Sequence, residues 1–150
     1  MNKDMKEIEF SAEIEAPKKK VWDTMLNHDT YEDWTSVAWP GSTFEGNWKK
    51  GTDIRFVGPD SSGTLANIKD LKAYDHVEAE HVAILLKGGA EDRTSEDASR
   101  WVGTRESYYF DEVNGNTKLT VKLKITPEWE QMFREGWPKA LARLKKISEQ

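Results

Sequence analysis

The chain has no cysteine, and that one absence removes disulfides, thiolate metal sites and cysteine nucleophiles. Long apolar runs are missing too, and the segment before Phe10 has no apolar stretch of the kind that opens a secretory leader. Membrane insertion is therefore not expected, and a soluble, cytoplasmic protein is. Positive charge is neither abundant nor concentrated: 22 basic residues face 27 acidic ones for a net charge of -5, and the only compact basic run is Lys18 to Lys20. Because a phosphate backbone is held mainly by clustered positive charge, nucleic acid is not an expected partner. The three histidines, His28, His76 and His81, are scattered without a His-Glu-x-x-His spacing, so no metal site is expected. No Gly-x-Ser-x-Gly elbow, phosphate-binding loop or dinucleotide fingerprint occurs, and Gly88-Gly89 runs into acidic sequence that would repel phosphate. Neither a cofactor nor a catalytic residue follows from such a chain.

What is present is tryptophan, seven residues in 150, a length that suits a single domain over 1–150. Indoles are bulky and amphipathic, suited to lining cavities as well as filling cores. Ile8, Phe10, Ala12 and Ile14 alternate with polar residues as in a half-buried strand. Pro17 then starts a helix whose Val21, Trp22, Met25 and Leu26 share one side. Asp29 and Glu32 have the spacing of a capping box, opening a second short helix through Tyr31 and Trp34, with a loop over Ser36 to Ser42. Strands are expected over Phe44 to Trp48, Ile54 to Val57, Leu65 to Tyr74 and Val77 to Leu86, the first pair joined by the turn Lys49-Lys50-Gly51. Lys87 to Arg100 holds almost nothing apolar and is expected to be mobile chain or a lid. A strand over Trp101 to Phe110 follows, then the hairpin signal Asn114-Gly115 and the regular alternation of Leu119, Val121, Leu123 and Ile125. Thr126 and Pro127 open a last, long helix that buries Trp129, Phe133, Trp137, Ala140, Leu144 and Ile147; a kink is expected near Gly136, because Pro138 cannot donate its backbone hydrogen bond.

This order, strand, two short helices, about six to seven antiparallel strands and one long C-terminal helix, resembles the helix-grip α+β fold of the START/birch-pollen-allergen (SRPBCC) superfamily. Ala16-Pro17 through Val21-Trp22 to Leu26 is similar to that superfamily's opening, and Trp48-Lys49-Lys50-Gly51 with Ile54 and Phe56 to its Trp-x-x-Gly hairpin. Glu106-Ser107-Tyr108-Tyr109-Phe110 and Gly115 to Thr120 look like its last strand pair. Trp137-Pro138-Lys139-Ala140-Leu141 with Leu144-Lys145 resembles the closing helix of the activator of heat-shock-protein-ninety ATPase homologue family.

The resemblance implies a curved sheet wrapped around the last helix with a mostly apolar cavity between them. It also implies that Phe110 points inward, which by strand alternation would carry Tyr108 and Glu106 inward as well. His81 stands where the family often has a large pocket-lining aromatic. The expected ligand-binding set is Trp34, Phe56, His81, Glu106, Tyr108, Phe110, Trp129, Phe133 and Trp137. Apolar walls with few polar groups suit a module that binds a lipophilic small molecule without catalysis. A chaperone partner, with stimulation of a heat-shock ATPase, is the alternative the family name implies. An aromatase/cyclase-like enzyme, with Glu106 or His81 as its acid or base, is a third.

Overall fold

The computed structural model describes residues 4–150. Strand β1 (Lys6–Ile14) leads through Pro17 into α1 (Lys18–Leu26) and α2 (His28–Ser36). Strands β2 (Thr43–Glu45), β3 (Asp53–Val57), β4 (Gly63–Lys72), β5 (His76–Leu85) and β6 (Glu91–Asp92) follow, then the short helix α3 (Glu96–Trp101). Strands β7 (Arg105–Val113) and β8 (Asn116–Ile125) precede a 3-10 turn over Pro127–Trp129 and the closing helix α4 (Glu130–Ser148). All pairings are antiparallel, and the sheet order is β1-β8-β7-β5-β4-β3-β2, with the two-residue β6 on the outer part of β5. This is the helix-grip α+β fold, with α4 packed against β1, α1 and α2.

Local chemistry explains most of the elements. In β8 each of Thr117, Leu119, Val121, Leu123 and Ile125 is buried and the lysines between them face out, so alternation alone fixes which face meets the core. Asn114 and Gly115 both have positive φ, 54° and 81°, as the two-residue hairpin turn between β7 and β8 requires. The pairing of β4 with β5 shifts register between Leu65 and Ala66 and again between Ile68 and Asp70; irregularities of this kind bend a sheet.

Several expectations are corrected. Pro17 is the residue before α1 rather than its first, and the open helix terminus is served from afar: the Lys18 backbone N–H donates to Glu112 Oε1 at 2.7 Å. The Asp29–Glu32 capping box does not form. Asn27 precedes α2, and Glu32 instead accepts the Thr43 hydroxyl at 2.6 Å, tying α2 to β2. Strand β2 ends at Glu45, so Trp48 lies in the connection to β3. Lys87 to Arg100 is not structureless: Asp92 accepts the Ser95 backbone N–H at 3.1 Å, Ser95 accepts the Ala98 N–H at 3.1 Å, and α3 grows from that cap. Trp101 consequently ends a helix instead of starting a strand.

The closing helix runs unbroken through Pro138. Thr126 sits at the cap position of the preceding turn without capping it, its hydroxyl lying instead 3.3 Å from Glu128 Oε1. Among the described residues no helix is long and apolar enough to cross a membrane.

Candidate functional site

Between the sheet, α2 and the first half of α4 lies a cavity of about 300 Å³. That is the lower end of the size range of small-molecule sites. Its apolar wall comes from Trp34 on α2, Phe56 on β3, Trp101 on α3, and Phe133 and Trp137 on α4. The mouth is bounded by the loop after α2, the β3–β4 turn and Met132, which is 41% exposed.

The polar part of the lining comes from β5 and β7. Register sets Ala79 opposite Glu106 and Val77 opposite Tyr108, so His81, one inward position beyond Ala79, is a diagonal neighbour of Glu106 on the inner face. Tyr108 donates its hydroxyl proton to Glu106 Oε2 in a very short contact. His81 Nε2 stands 3.4 Å from Glu106 Oε1, close enough for an ion pair but without hydrogen-bond alignment. The His81 side chain is 3% exposed and neither ring nitrogen has a hydrogen-bond partner. Burial, reinforced by the charge of Glu106, pushes the Tyr108 hydroxyl well above its ordinary value, and the same two causes raise Tyr31. Both phenols therefore stay protonated, and Tyr108 serves as the donor to Glu106.

The tryptophans divide by what their N–H groups do. Trp34 donates to the Met25 carbonyl at 3.1 Å and Trp48 to the Leu26 carbonyl at 3.1 Å, so these indoles bind the fold together. Trp101 and Trp137, both in the lining, have buried N–H groups without a partner. Buried polar atoms are seldom left so, which makes such a lining unusual for a core and ordinary for a site.

Seven of the nine expected residues line this cavity: Trp34, Phe56, His81, Glu106, Tyr108, Phe133 and Trp137. Two do not. Phe110 is inward and buried, but it lies beyond the cavity against Trp22, ring centroids 5.2 Å apart. Trp129 belongs to the 3-10 turn and meets Trp101 edge-on from behind at 5.3 Å. The aromatic lining residues that sequence reasoning missed are Tyr31, Trp39 and Trp101. Trp101 was legible in principle, since Ser95 followed by Glu96 and Asp97, with Arg100 near the end, is a capped helix with dipole-matched charges. Trp39 had no signal. It fits because Gly136 has no side chain: a Cβ there would lie 2.6 Å from the Trp39 ring.

A second polar cluster sits on the outer face. His76 is bonded through Nδ1 to Asp75 and through Nε2 to Asp70, each at 2.8 Å, and Glu78 accepts the Tyr109 hydroxyl at 2.8 Å. Ligand-type atoms of Asp70, His76 and Glu78 lie within 4.8 Å of one another. The hydrogen bonds to Asp75 and Asp70 raise His76, and the bond to His76 lowers both aspartates. Every polar group of the cluster is thus already paired, in contrast to His81.

Residues 15–149 match the family described as Activator of Hsp90 ATPase homolog 1-like protein. No curated protein matches the sequence. Among solved structures, a protein from Arthrobacter aurescens is similar at 20% identity and a TM-score of 0.72, over 95% of this chain and 85% of that one. The Aha1 dimer from Colwellia psychrerythraea is similar at 18% identity and a TM-score of 0.72, over 96% of each chain. A Staphylococcus epidermidis protein is similar at 22% identity and a TM-score of 0.68, over 98% of this chain and 93% of that one. At these identities the structures speak for the fold.

Proposed function

Since the chain belongs to the Activator of Hsp90 ATPase homolog 1-like family, we propose that it is a binding module for a lipophilic small molecule, held between the sheet and α4. The observation that carries this reading is the cavity of about 300 Å³ whose aromatic wall contains His81, buried and unpartnered, beside the Glu106–Tyr108 pair. Aromatic surface supplies affinity, and a few buried polar groups supply orientation. Trp34, Phe56, Phe133 and Trp137 would make apolar contact; His81, Glu106 and Tyr108 would set the pose.

The test is an amide NMR titration of the labelled protein with a panel of lipophilic compounds. Saturable shifts are expected at His81, Glu106, Tyr108, Phe133 and Trp137. Absence of saturable shifts with every compound would overturn the reading. The family's description favours a second reading, stimulation of a heat-shock ATPase. It requires a working outer surface and tolerates a filled cavity, and a null binding assay against the chaperone at high protein concentration would remove it.

A further inference from the structure

We infer that the molecule this cavity takes is a neutral aromatic compound that presents a hydroxyl group to Glu106 and His81, an inference that rests on the ligand-binding reading above. The donors and acceptors of the lining do not balance. Of the two Glu106 oxygens, Oε2 accepts from Tyr108, while Oε1 has the His81 ring 3.4 Å away and no hydrogen-bond donor. His81 has two ring nitrogens without partners, and the lining adds two indole N–H groups, those of Trp101 and Trp137, without acceptors. A head group that completes this set must both donate and accept.

A hydroxyl group does both from one oxygen. Atoms 3.4 Å apart can each lie at ordinary hydrogen-bond length, about 2.8 Å, from a single oxygen, so one hydroxyl can donate to Glu106 Oε1 and accept from the His81 ring. Other head groups fail on one side of the balance. A carboxylate cannot donate to Glu106 and adds a like charge in a buried site. A quaternary ammonium suits the aromatic wall by cation–π attraction and Glu106 by charge, but it has no hydrogen to donate to Glu106 Oε1 and no acceptor for the His81 ring or the indole N–H groups. An ether or a plain hydrocarbon leaves the carboxylate oxygen unmatched, which is costly in a buried site. The body of the ligand follows from the wall: Trp34, Phe56, Trp101, Phe133 and Trp137 line the cavity, and an aromatic wall suits a flat aromatic partner by stacked or edge-on contact.

The test uses the full chain and one ring system with four head groups: naphthol, methoxynaphthalene, naphthoate and naphthyltrimethylammonium, with naphthalene as the reference. Affinities are measured by calorimetry and by quenching of the lining tryptophans at neutral pH. Naphthol is expected to bind about tenfold or more tighter than methoxynaphthalene, with naphthoate weaker still. In Glu106→Gln the penalty on naphthoate should shrink. In Glu106→Leu naphthol should fall to the level of methoxynaphthalene, and in His81→Leu the two should weaken together, since either oxygen can accept from the His81 ring; amide spectra check that all the variants are folded. Equal affinities for naphthol and methoxynaphthalene, or tightest binding of the carboxylate or the ammonium, would overturn this inference and leave the ligand-binding reading standing. Failure of all five compounds, naphthalene included, would overturn both.

Discussion

The two ends of the interior are built from different shapes. Toward β1 and β8 and the C-terminal half of α4 the core is aliphatic: Ile14, Val21, Met25, Leu119 and Leu144 are each 0% exposed. Toward α2 and α3 it is aromatic, with Trp34 on Trp137 at 5.8 Å, Trp137 on Tyr108 at 6.0 Å and Trp101 on His81 at 4.9 Å, all tilted or edge-on. Branched aliphatic chains adjust rotamers and interdigitate; the flat rigid rings of the other end, stacked, tilted or edge-on, border the cavity of about 300 Å³. One helix, α4, serves both ends, carrying Leu144 into the first and Phe133 and Trp137 into the second. A fold can therefore hold a stable core and an open site along a single helix, divided by side-chain shape.

The largest expected effect breaks the closed end. Leu144→Ala removes a fully buried side chain there and should cost about 2–5 kcal/mol of unfolding free energy, read by chemical denaturation. A cost below about 1 kcal/mol would mean that the aliphatic end is as loosely packed as the aromatic one. An intermediate effect is expected at the boundary. Gly136→Ala gains helix propensity, but its new methyl group would lie 2.6 Å from the Trp39 ring. The net result should be a loss of about 1 kcal/mol with displacement of the Trp39 indole signal, because crowding outweighs the propensity gain. An unmoved indole would show that α4 itself yields.

The smallest effect belongs to the open end. His81→Leu replaces a buried ring without hydrogen-bond partners by an apolar side chain, so thermal stability should stay within about 1 kcal/mol of the parent or rise. A large loss of stability would assign His81 to the core and blur the contrast between the two ends.

Much of this was legible in the residues. The alternation of β8, the Asn114-Gly115 turn and the apolar face of α4 each state their structure locally, as does the shared inward face of Tyr108 and Glu106 on one strand. What escaped had no local signature or a conflicting one. Lys87 to Arg100 reads as slack by composition, yet Asp92 and Ser95 organise it and bring Trp101 to His81. Phe110 follows the inward alternation correctly and still misses the cavity, because α1 places Trp22 over that end of β7. Trp129 has helical spacing with Phe133, but the tight turn at Pro127–Trp129 puts it behind Trp101.

By itself the sequence determined the element order, the faces of the strands and the chemistry available inside: aromatic bulk, one carboxylate and one histidine on inner faces. These follow from short-range rules, the period of a strand or helix and the φ that a turn demands. Only the tertiary structure decided which polar groups end up paired. Two histidines on the same strand, five residues apart, differ because His76 meets Asp70 across a bulged register and its neighbour Asp75, whereas His81 meets rings and an unaligned carboxylate. Pairing depends on distances between segments far apart in the chain, and no local pattern encodes those.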